Sequence, residues 1–329
     1  MRSNGSTISS PTAQLRLIAY IAISMLAFAA NSIFCRVALM QDKIDPESFT
    51  VVRLLSGGLF LWCLLKLGSP SRPLRGSWSG GLCLFLYAYA FSIAYVSLGA
   101  GIGALILFGA VQVTMFAYGW IRGERVDSRG VFGMLIAFMG LVALLLPGAN
   151  SPQLGSALVM IASGVAWGVY SLLGRGAADP LAATTGNFVR ALPGAALLAA
   201  YAIWRDEAFI TGTGLTYALA SGALASGLGY AIWYQVVKCL AAYQAATLQL
   251  TVPIMASIGG VMLLGENLTT RLVVISLVVL GGVAIAILPS GKAEQSFRLY
   301  SFLRQIPYRL SKCAQHLRLH SSDCLAPQS

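Results

Sequence analysis

Hydrophobic positions in this chain run on rather than alternate. The stretches from Val131 to Leu146 and from Leu272 to Leu288 are almost unbroken by polar residues. A half-buried strand would alternate apolar and polar side chains, and a membrane barrel would repeat that alternation in segments of about ten residues. Continuous apolar runs of roughly twenty residues instead match one helical crossing of a bilayer. Glycine, proline and charge interrupt them at Asp42–Pro46, Ser69–Pro73, Arg122–Arg129, Pro147–Pro152, Ala178–Pro180 and Arg205–Glu207. Between these breaks the pattern predicts spans over 17–39, 47–67, 78–97, 100–121, 129–147, 154–174, 181–204, 214–237, 243–264 and 271–289. The expected fold class is an all-α polytopic membrane protein with ten transmembrane helices.

The pattern also repeats. Glu124, Arg129, Gly140 and Pro147 are separated by 5, 11 and 7 positions, and Glu266, Arg271, Gly282 and Pro289 show the same spacings 142 positions later. Ser24, Ser32 and Arg36 match Ser163, Ser171 and Arg175 at an offset of 139, and Arg53, Leu55 and Gly57 match Arg190, Leu192 and Gly194 at 137. The unit therefore contains five spans. An odd number places the second copy upside down, so two inverted five-helix repeats are expected, an arrangement typical of secondary transporters. The competing reading is that duplication serves only to build a stable bundle. The first span follows Arg16 and ends near Ala27-Phe28-Ala29, as a signal peptide would. Its match to an internal span keeps it in the mature chain. The expected organisation is an N-terminal segment 1–16, repeats at 17–147 and 154–289, and a basic tail at 290–329.

Composition changes little in this picture. Of 329 residues, 57% are hydrophobic and 10% charged, against about 45–50% and about 25% in soluble domains, so a water-soluble fold is excluded. The net charge of +11 is distributed by side. Sixteen Lys and Arg fall on the side of the termini and only Arg36, Lys43, Arg205 and Arg271 on the other. Positive charge stays cytoplasmic, which predicts both termini inside, in a plasma membrane (bacterial inner membrane), with the lipid bilayer and not nucleic acid as the partner of that charge. Cys35, Cys63, Cys83 and Cys239 lie in apolar runs. Cys313, His316, His320 and Cys324 in the tail are spread too widely on a helix to close on one ion, so no metal and no cofactor is expected. The tail alternates Arg298, Arg304, Arg309, Lys312 and Arg318 with apolar residues around Pro307. It reads either as an amphipathic segment on the anionic leaflet or as a disordered appendage.

At Gly227–Tyr234 (Gly-Leu-Gly-Tyr-Ala-Ile-Trp-Tyr), Ala245–Pro253 and Leu264-Gly265-Glu266 the chain resembles the EamA domain of the drug/metabolite transporter superfamily, and Gly123-Glu124 and Arg53 fit the same pattern in the first half. Val111-Gln112 stands where the counterpart of Pro253 would be. The resemblance covers about 17–289. It implies ten helices, two EamA domains and a carrier of small metabolites or drugs, often an exporter.

Nucleotide-binding GxxxxGK[ST], zinc-binding HExxH and hydrolase GxSxG patterns are absent from the sequence, so an enzyme is not expected. Arg53 and Arg190 lie inside predicted spans, where an arginine costs on the order of 3 kcal/mol unless it meets a partner or water. The expected structural charge pairs are Arg53 with Glu266 and Arg190 with Glu124, and the alternative is that one arginine binds a substrate carboxylate bidentately. Glu124 and Glu266 could also simply cap helix ends. Candidate substrate-binding residues are Phe28, Asn31, Arg53, Tyr87, Tyr89, Gln112, Trp167, Tyr170, Asn187, Arg190, Tyr230, Trp233 and Gln249, an apolar and aromatic set with a few polar groups, as ligand sites have. For each single aromatic the alternative is core packing. Gly99-x-x-x-Gly103 and Gly164-x-x-x-Gly168 permit close helix approach. The function expected is secondary transport of a small-molecule substrate by alternating access around a midplane pocket, with export the favoured direction. The alternative is a non-transporting sensor or scaffold with the same fold, and a homodimer remains open.

Overall fold

The computed structural model describes residues 11–40, 42–121, 128–146, 152–174, 177–237 and 248–287. Its helices are α1 Pro11–Leu39, α2 Pro46–Gly68, α3 Trp78–Tyr95, α4 Ala100–Ile121, α5 Ser128–Leu145, α6 Leu154–Gly174, α7 Pro180–Trp204, α8 Gly212–Leu219, a π-helical segment Ala220–Leu228, α9 Gly229–Val237, α10 Thr251–Leu264 and α11 Thr270–Ile287. Among the described residues the extended structure amounts to one bridge, Ile44 to Ile210. Seven helical stretches are long and apolar enough to cross a membrane, with α8 to α9 counted as one, and three shorter apolar helices accompany them. Large apolar side chains cover the outside, among them Leu59, Phe132, Met139, Leu197 and Leu277. Such a surface would aggregate in water. In lipid it is the proper solvent face, and the protein is a multi-pass membrane protein.

Helix starts are written locally and equivalently in the two halves. Asp45 precedes Pro46 and accepts from the Ser48 N–H at 2.8 Å, and Asp179 precedes Pro180 and accepts from the Ala182 N–H at 3.2 Å. Aspartate at the N-cap satisfies a free amide, and proline fits the first helical position because it has no amide to satisfy. Each cap also joins the other half. Asp45 accepts from the Phe209 N–H at 2.9 Å, while Asp179 holds Arg72.

Packing partners come in matched pairs as well. Helices α5 and α11 lie side by side, as do α2 and α7, and the contact of α3 with α6 is mirrored by that of α1 with the α8–α9 stretch. The glycines that marked the repeat sit at the first of these crossings. A Cβ on Gly140 would come 2.7 Å from Val279, and one on Gly282 would come 2.6 Å from the Ala137 nitrogen. The pair is antiparallel, because Arg271 at the start of α11 donates to the Ala143 carbonyl near the end of α5 at 3.0 Å.

The π-helical segment crosses α2 at closest range. Gly222 faces the Arg53 carbonyl and Ser56 with no room for a Cβ, and a Cβ on Gly57 would lie 2.9 Å from the Gly222 oxygen. In an α-helix, residues five apart point about 140° away from each other. The i→i+5 bonding of a π-helix stacks them on one side, and Ser221 and Ser226 are five apart. Both consequently reach the protein interior, Ser221 toward Asn31 and Ser226 toward Arg53.

Gly222→Ala is expected to lower the stability of the solubilised protein by about 1–3 kcal/mol, the usual cost of overpacking. Gly155→Ala, where a Cβ meets nothing within 4 Å, should leave it unchanged or slightly raised. Thermal unfolding of the two variants checks this, and equal melting temperatures would contradict the close approach.

Candidate functional site

The middle of the bundle holds an aromatic cluster around a small enclosed cavity. Phe28, Asn31 and Ser32 of α1, Tyr87 and Phe91 of α3, Leu107 and Phe108 of α4, Trp167 of α6 and Tyr230 of α9 line it. Helix α3 supplies Tyr87 and Phe91 one turn apart on one face, and α4 supplies two adjacent residues. The rings interlock: Trp167 lies 4.8 Å from Tyr87 and 4.9 Å from Tyr230, and Phe28 meets Tyr230 and Trp233 edge-on at 5.9 and 5.7 Å. The space between the rings is about that of one water molecule.

Arg53 stands directly behind this wall and is 1% exposed. Its Nε donates to Ser226 Oγ at 3.1 Å, and its Nη2 donates to the hydroxyls of Tyr87 at 2.8 Å and Tyr230 at 3.3 Å. The guanidinium carbon lies 5.0 Å from the ring centres of both Tyr87 and Phe91, a distance at which ring faces attract a cation. The network continues from Tyr87 to Asn31 Nδ2 at 3.3 Å, and from Asn31 Oδ1 to Ser221 at 2.7 Å. Four elements (α2, α3, the π-helical segment and α9) thus meet on one buried charge.

Of the residues read from sequence, Phe28, Asn31, Tyr87, Trp167 and Tyr230 come together on the cavity, with Arg53 behind them and Trp233 and Tyr170 in the next layer. Gln112 and Gln249 are buried on α4 and just ahead of α10. Three others go elsewhere. Tyr89 turns to the far side of α3 and donates to Glu47 at 2.9 Å. Asn187 accepts from the Ser77 N–H at 2.9 Å, at the start of α3. Arg190 donates to the carbonyls of Arg75 at 2.9 Å and Gly186 at 3.0 Å, which places it among helix and loop carbonyls.

The charge pairing also differs from expectation. Glu266 pairs with Arg36 at 3.3 Å, not with Arg53, because Arg36 sits in the last turn of α1 whereas Arg53 lies about two turns inside α2. Glu266 also accepts from the Ala100 N–H at 2.9 Å. It caps the start of α4, a different helix from its own. Glu124, expected to meet Arg190, lies outside the described residues, as do Arg175 and the tail from 290 onward. Ser32, Phe91, Leu107, Phe108, Ser221, Ser226 and Arg36 were not singled out as site residues. Ser32 and Arg36 were flagged only as repeat markers. The two serines of the π-helical segment had no usable signal, since their shared side depends on that geometry.

Polar contacts between the two halves lie at both ends of the bundle. At one end Arg36–Glu266 is joined by backbone bonds between the α1–α2 and α7–α8 connections, with Thr211 N–H on the Lys43 carbonyl at 2.9 Å. At the other, Arg72 grips Asp179 with two bonds of 2.7 Å. Partial burial pushes the Asp179 carboxyl up, but the Arg72 guanidinium, the Ala182 N–H and the charge of Arg75 outweigh it, and its pKa lies below the ordinary 3.8.

Comparison with known proteins gives two matches to the EamA-like transporter family, over residues 15–146 and 154–288. An uncharacterized protein of Pseudomonas aeruginosa is 53% identical over 275 residues, covering 83% of this chain and 95% of that one. An uncharacterized transporter of Archaeoglobus fulgidus is 25% identical over 280 residues, covering 83% and 90%. A solved crystal structure shares the fold with a TM-score of 0.58 at 22% identity, covering 84% of this chain and 97% of that one.

Arg72→Ala and Asp179→Ala should each lower the melting temperature, and the double variant should lose less than the sum. The coupling is expected to be at most about 1 kcal/mol because water reaches the pair. A carboxylate with a depressed pKa stabilises fully above its unfolded value and loses that contribution as pH falls through the folded one. The coupling should therefore be constant at neutral pH and fade below 3.8. A coupling unchanged at the lowest pH at which the protein stays folded would disprove the ion pair.

Proposed function

The chain belongs to the EamA-like transporter family, and from that premise we propose that it is a secondary transporter, an exporter of small organic metabolites such as amino acids or drugs. It carries them by alternating access around the aromatic cavity. The observation that carries this reading is the origin of the cavity walls. Phe28, Asn31, Tyr87 and Phe108 come from the first family match and Trp167 and Tyr230 from the second. A site at a repeat interface changes its open side when the repeats rock against each other. The cross-repeat bonds at the two ends, Arg36–Glu266 and Arg72–Asp179, are then the contacts that part alternately. The matched packing pairs support ten spans in two inverted five-helix repeats, at 17–147 and 154–289. The sixteen-to-four distribution of Lys and Arg supports cytoplasmic termini and the bacterial inner membrane.

Counterflow in proteoliposomes against a pooled metabolite panel tests the reading. The wild-type chain should exchange at least one compound class. Asn31→Ala, which leaves the Ser221 hydroxyl without its acceptor, should slow that exchange at least tenfold while the protein stays folded, since a buried polar group without a partner disfavours this packed arrangement. Ligand-induced stabilisation without net movement would instead identify a sensor with the transporter fold.

A further inference from the structure

The hydrogen-bond inventory at the cavity is unbalanced toward donors. Arg53 has five N–H groups and no capacity to accept. Its Nη1 has no partner, and neither does the buried indole N–H of Trp167 in the cavity wall. The Tyr87 oxygen receives Asn31, Arg53 and Tyr230 together, more than its two lone pairs serve well. The nearby acceptors are already engaged, Asn31 Oδ1 by Ser221 and Ser226 Oγ by Arg53 itself. Among the described residues the ion pairs are Arg36–Glu266, Arg72–Asp179 and Arg205–Glu207, and none of them neutralises Arg53. Among the described residues no acidic side chain lines the cavity.

A buried cation with spare donors lacks an anionic acceptor. Ring faces and hydroxyls offset only part of its desolvation. A carboxylate can take Nη1, the guanidinium nitrogen without a partner, and can displace a tyrosine oxygen from Nη2 to complete two parallel bonds, while the Trp167 N–H adds a further donor to its oxygens. Most of the remaining wall, Phe28, Phe91, Leu107 and Phe108, is apolar, and Asn31 and Ser32 add two small polar groups. We propose that this cavity recognises a carboxylate on an apolar body, with Arg53 as the group that binds it. The proposal rests on the carrier reading above, in which the cavity is the cargo site. It also separates the two arginines read from sequence: Arg190 is occupied by backbone carbonyls, and Arg53 is the one left for an anion. The proposal needs only the carboxylate, so a hydroxy acid should bind within about tenfold of the corresponding amino acid.

The test uses the full chain and one phenylpropanoid skeleton in five forms: 2-hydroxy-3-phenylpropionate, phenylalanine, the amide of the hydroxy acid, phenethylamine and the matching sulfonate. Thermal stabilisation of the solubilised protein and counterflow in proteoliposomes are read in parallel. The hydroxy acid should stabilise and exchange, while the amide and amine should do neither. Arg53→Gln should raise the half-saturating hydroxy-acid concentration at least tenfold, and Arg53→Lys should fall between, since it keeps the charge without the fork. Four results would overturn the proposal: an amide or amine that binds as well as the acid, a sulfonate that binds better, phenylalanine more than tenfold tighter than the hydroxy acid, or an unchanged half-saturation in Arg53→Gln. Stabilisation by none of the acids would also overturn it. The acid-against-amide comparison needs only the wild-type chain and stands if Arg53→Gln does not fold. Acid-specific stabilisation without flux would sustain the anion site and remove the carrier reading. Amine flux untouched by Arg53→Gln would do the reverse.

Discussion

One positive charge buried without a carboxylate organises the centre of this molecule. Arg53 is held by hydroxyls from three other elements and flanked by two rings. Each of those neighbours is fixed in turn by the helix that carries it. Tyr87 is set by α3 packing on α6, Tyr230 by α9 packing on α1, and Ser226 by the glycine-tight approach of the π-helical segment to α2. In a low-dielectric interior such a network is costly when incomplete. The packing of α2, α3, the π-helical segment and α9 is therefore tied to this one side chain, which touches residues of both family matches.

A second constraint comes from the bilayer, which offers no water to free helix ends or charges. The chain meets it partly through bonds that cross between its two halves. Asp45 and Asp179 each cap their own helix and hold the opposite half, Glu266 caps α4 while pairing with α1, and Arg271 takes up carbonyls at the end of α5. Every such bond serves local folding and closure together. The end contacts are few, polar and partly exposed, so exchanging them for water is a modest change in free energy, whereas the α5–α11 crossing is packed on glycines.

Much of this was legible in the amino-acid order. Apolar runs set the helices because only a helix satisfies its backbone within lipid, and the Asp-Pro breaks fell where α2 and α7 begin. Aromatic and amide residues at mid-depth, Phe28, Asn31, Tyr87, Trp167 and Tyr230, pointed to the site because such groups need partners when buried. Tyr89, Asn187 and Arg190 look the same in sequence and face elsewhere. Depth along a helix is readable from spacing, but the direction a side chain faces within an apolar helix is not, since these helices carry no strong amphipathic stripe to orient them.

Only the tertiary structure decided the pairings. Arg36 rather than Arg53 meets Glu266 because the last turn of α1 and the turn after α10 converge at one end of the bundle. Ser221 and Ser226 act on the same side because nine residues adopt a π-helix where α2 comes within backbone contact. Arg53 is left with unspent donors for the same reason: the nearest groups that folding brings to it are hydroxyls and rings, not carboxylates. Sequence determines which segments enter the membrane through local chemistry, whereas long-range partners are set by how those segments cross.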